Sequence, residues 1–277
     1  MLNSVGLIGV GAMGTALLAR LHIAHHKVKA YDVSEDRVRF ARDQGAEGVS
    51  SVAEASRDVG AVHVFVRTDQ ELLDVCLADA GILATAAPGT LVFMHSTVMP
   101  DTCRQIAGAA EACGVVALDA PVTAVPRHVA AGDATFLLGG PENVKAAAIA
   151  HLEPLGRAAC HFGPTGAGSV AKIAKNLINA NERIAMSEVL SIVEAGGVDV
   201  GQFLDMATEI DQGSTVSRWK GSFDIEGNHA VPRPASNLLN KDVHLAAQLA
   251  KVLGLETPMT QSASDTAARW VANWEKG

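Results

Sequence analysis

Lys172 and Asn176 stand four residues apart in the run Gly163-Pro164-Thr165-Gly166-Ala167-Gly168-Ser169-Val170-Ala171-Lys172-Ile173-Ala174-Lys175-Asn176, a glycine-rich turn that opens a helix. At that spacing both side chains share one helical face, with Asn179 close to the same stripe. By itself the pattern describes a solvated face. Placed directly after a nucleotide-binding half, it presents an amine and an amide to a polar substrate. A protonated amine can give its proton to a developing alkoxide. To take a hydroxyl proton instead, its pKa must fall from about 10.4 through burial or a neighbouring cation. A second lysine, Lys241, could supply the cation.

The nucleotide-binding half is marked by Gly6-Leu7-Ile8-Gly9-Val10-Gly11-Ala12-Met13-Gly14, an apolar strand running into a glycine turn. Gly9-x-Gly11-x-x-Gly14 fits the dinucleotide fingerprint: a tight turn, close approach to a pyrophosphate, and close helix–strand packing. The following helix offers its free amides to the phosphates. A second strand, Val28-Lys29-Ala30-Tyr31, ends in Asp32, 18 residues beyond Gly14. An acid there accepts hydrogen bonds from a ribose 2′-hydroxyl and repels a 2′-phosphate, so NAD is expected over NADP. Arg37, on the next helix, is the residue that would favour the 2′-phosphate. The two segments together describe an enzyme that exchanges a hydride with a nicotinamide cofactor.

Apolar runs at Val5–Ile8, Lys27–Tyr31, Ala61–Val66, Leu91–His95 and Val115–Leu118 read as strands, with further strands at Thr135–Leu138 and Ala158–His161. Helices are expected at Thr15–His25, Glu35–Gln44, Gln70–Ala80, Asp101–Cys113 and Pro141–Leu155. Alternation of this kind implies parallel strands with helices on both faces. From Gly166 to about Ala195 the chain lacks proline and, beyond its first residues, glycine. A helix of that length is about 45 Å long, which suits a spine between two domains. Asp199–Thr208, Lys241–Leu253 and Gln261–Trp274 read as helices and Gly221–Pro234 as a loop. The expected fold is an α/β Rossmann-type N-terminal domain, residues 1–162, and an all-α C-terminal substrate and dimerisation domain, residues 163–277, joined by a long interdomain helix.

The chain resembles the 3-hydroxyisobutyrate dehydrogenase (β-hydroxyacid dehydrogenase) family over nearly its whole length. Five motifs in the family's order carry the resemblance: Gly6–Gly14, Ser96-Thr97-Val98-Met99-Pro100, Asp119-Ala120-Pro121-Val122, the Gly163–Asn176 run, and Lys241-Asp242-Val243-His244-Leu245-Ala246. The resemblance implies that Lys172 is the catalytic acid/base, that Asn176 holds substrate or orients Lys172, and that Lys241 approaches substrate and nicotinamide. It places Ser96 and Thr97 along the nicotinamide ribose, and it implies a homodimer or homotetramer. The cofactor set is Gly9, Val10, Gly11, Ala12, Met13, Gly14, Asp32, Val66, Arg67, Ser96, Thr97 and Lys241. The substrate set is Thr123, Ala124, Asn176 and Lys241.

Where the family usually continues with Ser-Gly-Gly, this chain has Thr123-Ala124-Val125, followed by Pro126-Arg127-His128. That describes a reshaped acid-binding pocket, with Arg127 and His128 candidates to replace amide contacts to an anion. His95 stands immediately before Ser96-Thr97, where the family often carries an acid. His22, His25 and His26 are expected at the end of the first helix, where positive charge favours the dipole.

A formal net charge of −8 disfavours non-specific nucleic-acid binding, which needs a basic surface. No apolar run approaches the roughly 18 residues of a membrane span. Cys76, Cys103, Cys113 and Cys160 show no metal-ligand spacing, and no metal is expected. Met1-Leu2-Asn3-Ser4-Val5 enters a strand with no basic or cleavable apolar stretch, so a soluble, cytoplasmic protein is expected. An imine or ketone reductase on the same scaffold is the alternative, although such relatives typically replace the lysine. A catalytically silent nucleotide-binding module would also tend to lose it. The C-terminal part is too short for a phosphosugar decarboxylating dehydrogenase.

Overall fold

A computed structural model describes residues 4–210, 220–227, 229–233 and 238–274. The chain forms two compact units, Met1–Lys172 and Ile173–Gly277.

The first unit is built on one nine-stranded sheet: β1 (Ser4–Ile8), β2 (Lys27–Tyr31), β3 (Glu47–Gly48), β4 (Ala61–Val64), β5 (Leu91–Met94), β6 (Val116–Asp119), β7 (Val122–Thr123), β8 (Thr135–Gly139) and β9 (Ala158–Gly163). Their order is β3-β2-β1-β4-β5-β6-β8-β7, with β9 also on β8. The strands β1 to β6 pair in parallel, as the alternation of strand and helix requires. The all-parallel expectation fails at the far edge. There β8 runs antiparallel to β6 and β7, and only β9 follows it in parallel.

Helices α1 (Ala12–Ile23), α2 (Glu35–Asp43), α3 (Val52–Ser56), α4 (Asp69–Leu77), α5 (Ile82–Thr85), α6 (Pro100–Ala112), α7 (Pro126–Ala130) and α8 (Lys145–Leu152) belong to this unit. Two apolar cores result, because successive strand residues point to opposite faces. Val5, Leu7, Phe93 and Phe136 pack with Leu17, Leu21, Val129 and Leu152 in one core. Ile8, Val62, Val64, Val92 and Met94 pack with Leu72, Ile82 and Ile106 in the other. The first helix ends at Ile23, two residues before the expected limit. Of the three histidines placed at its end, only His22 lies in the last turn. His25 lies beyond it, in a left-handed conformation at φ 61°.

Helix α9 spans Ala167–Ala195, 29 residues, and the division between the units falls within it. The second unit continues with α10 (Val200–Ile210) and helices Leu238–Val252 and Pro258–Trp274. Met186, Leu190, Val200, Leu204 and Phe223 form one small core of this unit, and Ala180, Ile184, Val243 and Ala263 another. The expected loop Gly221–Pro234 instead carries an antiparallel hairpin, β10 (Phe223–Glu226) with β11 (His229–Pro232); Pro234 lies outside the described residues. Arg183 is buried and its guanidinium donates to the carbonyl of Arg233 beside the hairpin, 2.8 Å away. Among the described residues no helix is long and apolar enough to cross a membrane.

Candidate active site

The glycine turn sits between β1 and α1, and its shape depends on missing side chains. Gly9 adopts φ 88°, which costs a residue with a Cβ dearly, and its amide donates to Tyr31 O at 2.9 Å. A Cβ on Gly14 would run into the carbonyl of Gly9, so only glycine lets α1 come this close to the strand. Helix α1 starts at Ala12 with Gly11 as its cap. It has no capping side chain and no acid in its first turn. Its first amides have no capping side chain or acid competing for them, and the cradle fits a dinucleotide pyrophosphate.

Asp32 closes this turn from the side. Its two carboxylate oxygens accept the amides of Val10 at 2.7 Å and Ser34 at 2.9 Å. The acid thus joins the glycine turn to the end of β2, where a ribose would lie. The guanidinium of Arg37 reaches back to donate to Val10 O at 3.1 Å. At the end of β4, the Ser96 hydroxyl accepts from Val66 N at 3.0 Å and donates to Val66 O at 2.7 Å. Ser96 and Val66 are thereby brought together. Thr97 is half-buried, and exposed Arg67 donates its amide to Glu71, 2.8 Å away.

Lys172 lies in the second turn of α9. Its ammonium donates to the carbonyl of Val122, 2.6 Å away. That carbonyl belongs to β7, next to Thr123, whose hydroxyl donates to Thr135 O at 3.2 Å. Ala124 is half-buried beside it, and Arg127 and His128 are exposed on α7. His128 faces Asp133 at 3.3 Å. In the second unit, the Asn176 amide donates to the carboxylate of Asp242 at 2.8 Å. Half-buried Lys241 precedes Asp242 on the helix Leu238–Val252.

Two features are absent from the residues singled out by type and spacing. Asp119 is fully buried, and its carboxylate accepts the amides of Gly166 at 2.6 Å and Ser169 at 2.7 Å, pinning the start of α9 one turn before Lys172. Burial pushes its pKa up, and those amide bonds oppose the shift. The signal available was an acid at the end of a strand facing a glycine-rich helix start. The second feature is the carbonyl of Val122. It has no side-chain signature, because a backbone group is chosen by geometry alone. Among the described residues no cluster of three His, Cys, Asp or Glu is placed to hold a metal ion.

Comparison with known proteins gives this geometry a family. Residues 4–164 match the model described as the NAD-binding domain of 6-phosphogluconate dehydrogenase. Residues 166–277 match the one described as the NAD-binding domain of NADP-dependent 3-hydroxyisobutyrate dehydrogenase. A 3-hydroxyisobutyrate dehydrogenase of Pseudomonas aeruginosa is 31% identical, over 93% of this chain and 89% of its own. An NAD-dependent L-serine dehydrogenase of the same organism is 30% identical over the same shares. The solved structure of Mycobacterium tuberculosis 3-hydroxyisobutyrate dehydrogenase with L-serine superposes with a TM-score of 0.84 at 29% identity, covering 98% of this chain and 94% of that one. An imine reductase of Myxococcus stipitatus, at 17% identity and a TM-score of 0.69, shares the fold. The glycine cradle, the acid at the end of β2 and the lysine of α9 therefore stand in a nicotinamide-dependent oxidoreductase, and the chain belongs to the 3-hydroxyisobutyrate dehydrogenase family.

Proposed function

We propose that this chain transfers a hydride between NAD and a short β-hydroxy acid, with Lys172 as the acid/base. The observation that carries this reading is the lysine itself, held by Val122 O on a helix start that Asp119 fixes. The substrate names attached to its relatives, 3-hydroxyisobutyrate and L-serine, both denote short carboxylic acids with a hydroxyl on the third carbon. That class is the proposed substrate.

When bound, the nicotinamide accepts or supplies the hydride. The chain's own residues manage the proton and the positions. As the hydroxyl carbon gives up hydride, neutral Lys172 takes the hydroxyl proton; in reduction, its ammonium returns one to the forming alkoxide. Thr123, Ala124, Asn176 and Lys241 form the substrate set, and the Thr123 hydroxyl replaces the serine usual in the family. Gly9 through Gly14, with Val66, Arg67, Ser96, Thr97 and Lys241, form the cofactor set. NAD is favoured because Asp32 stands where a 2′-phosphate would have to go. The proposed domain division is 1–162 and 163–277; the family matches to 4–164 and 166–277 support it, while the compact units divide ten residues later, after Lys172. A homo-oligomer is supported by exposed apolar residues of the second unit, among them Ile192, Ile210 and Met259.

The test is a paired binding and turnover assay. NADH and NADPH are titrated by fluorescence. Short β-hydroxy acids, their aldehydes and cyclic imines are then screened with wild type and Lys172→Ala. Tighter NADH binding, with turnover of a β-hydroxy acid lost only in the variant, supports the reading. Turnover of imines alone, or binding of neither nucleotide, overturns it.

A further inference from the structure

His63, His95 and His151 meet inside the first unit although the sequence separates them widely. His63 on β4 and His95 just past β5 share one sheet face with Phe65 and Phe93, because side chains alternate along a strand. The His63 ring stacks on Phe93 at 5.3 Å between centroids, and His95 on Phe65 at 4.6 Å. His151 comes down from α8. The ring nitrogens form one line: His151 Nε2 to His63 Nε2 at 3.0 Å, His63 Nδ1 to His95 Nε2 at 2.9 Å, and His95 Nδ1 to the carbonyl of Ala120 at 2.7 Å.

The last partner decides every proton in this line. A carbonyl only accepts, so His95 Nδ1 carries hydrogen and its Nε2 must accept from His63 Nδ1. His63 Nε2 is then an acceptor, and His151 Nε2 donates to it. This assignment holds with each ring neutral, the state that burial favours by driving all three pKa values down. The line also ends at that carbonyl, which cannot pass a proton on. A proton conduit is therefore excluded, and what the line delivers is position.

Its end point lies in the segment that holds the lysine. Ala120 O receives His95, and Ala120 N donates to Met94 O at 2.9 Å, so both polar groups of Ala120 are tied to the end of β5. Two residues on, Val122 O receives Lys172. We propose that the hydrogen-bonded pair His63–His95 is a positioning device for Lys172, acting through Ala120 to set the carbonyl of Val122. The catalytic half of this inference rests on the acid/base reading of Lys172. The coupling between His95 and Lys172 does not.

Two variants separate hydrogen bonding from bulk. In His95→Asn the amide can still donate to Ala120 O. His95→Phe fills the space without a donor. The double variant His63→Leu/His95→Leu, which leaves no orphaned His63 nitrogen, serves if His95→Phe does not fold. With the β-hydroxy acid found by the screen, kcat is expected to fall about tenfold to a hundredfold in His95→Phe or the double variant, with KM and NADH affinity within about twofold. His95→Asn should keep most of it. A second measurement needs no substrate: the rate at which acetic anhydride labels Lys172, read by mass spectrometry on the cofactor-free chain. That rate should rise severalfold in the donor-less variants and not in His95→Asn. Imidazole nitrogen NMR of wild type should show Nδ1-protonated His63 and His95. Changed labelling with no turnover in wild type sustains the coupling and sinks the dehydrogenase reading. Unchanged labelling, or equal losses in His95→Asn and His95→Phe, overturns the positioning proposal.

Discussion

The ammonium of Lys172 lies 2.6 Å from the carbonyl oxygen of Val122, a residue 50 positions earlier on β7. That bond ties the second turn of α9 to β7.

Replacing Lys172 by arginine keeps the charge and forbids its loss, since guanidinium stays protonated throughout the working pH range. Alcohol oxidation in Lys172→Arg is expected to drop by roughly 10²- to 10⁴-fold, the usual span for a lost general base. Nucleotide affinity should stay close to wild type. Steady-state kinetics beside NADH titration check both halves.

Asp32 accepts the amides of Val10 and Ser34, so its removal strikes the turn and the ribose contact together. Asp32→Ala is expected to weaken NADH by about 1–3 kcal/mol, roughly 5- to 150-fold, and to narrow the gap to NADPH. Arg37→Ala, which removes only the long contact to Val10 O, should leave NADH affinity within about twofold. A larger loss of NADPH than of NADH in Arg37→Ala would instead reveal a 2′-phosphate contact.

The fold was legible where patterns were long enough to be read. Val5–Ile8 and Leu91–Met94 are apolar runs bounded by turn residues, and α9 is a long stretch free of breakers. Two-residue strands such as β3 and β7 have no period to detect. The reversed direction of β8 is set by its neighbours, not by its own residues. The hairpin of β10 and β11 was missed despite a usable signal. Phe223-Asp224-Ile225-Glu226 alternates, and Gly-Asn, a pair favoured in short hairpin connections, comes next in the sequence. In the site, the glycines, Asp32 and Lys172 could be named from type and spacing. The histidine line could not, since His63 and His151 are 88 residues apart and meet only through packing.

Gly14→Ala puts a methyl group against the carbonyl of Gly9. Overpacking of this kind costs about 1–3 kcal/mol, because backbone has little room to yield. Urea unfolding should show that loss, and NADH titration should show weaker binding, since the displaced helix start carries the phosphate amides.

Acid should unfold this chain through its histidines. Burial holds His95 and His151 at about 4, and His63 is also driven down, chiefly by burial and then by His151 and His95. Unfolded, each returns to near 6.5 and binds protons that the folded form refuses. Their contribution is constant above about pH 6.5 and is lost as pH falls from there toward 4, on the order of 3 kcal/mol for His95 alone. Denaturant unfolding at pH 7.5, 6 and 5 should show wild type losing stability more steeply than His63→Leu/His95→Leu. Parallel slopes would contradict it.

Residues 119 to 122 are each fastened to something different. Asp119 grips the start of α9, Ala120 joins Met94 and His95, Pro121 O takes the amide of Leu137 at 3.0 Å, and Val122 O takes Lys172. A single residue inserted or deleted here would put all four attachments out of step at once. Lengthening or swapping this stretch is therefore closed as a route to new substrates. The next residue, Thr123, is tied more lightly, by its hydroxyl to Thr135 O at 3.2 Å, and Ala124 and Val125 follow it. Libraries aimed at altering which acid the enzyme accepts should begin at residue 123 and leave the four before it untouched.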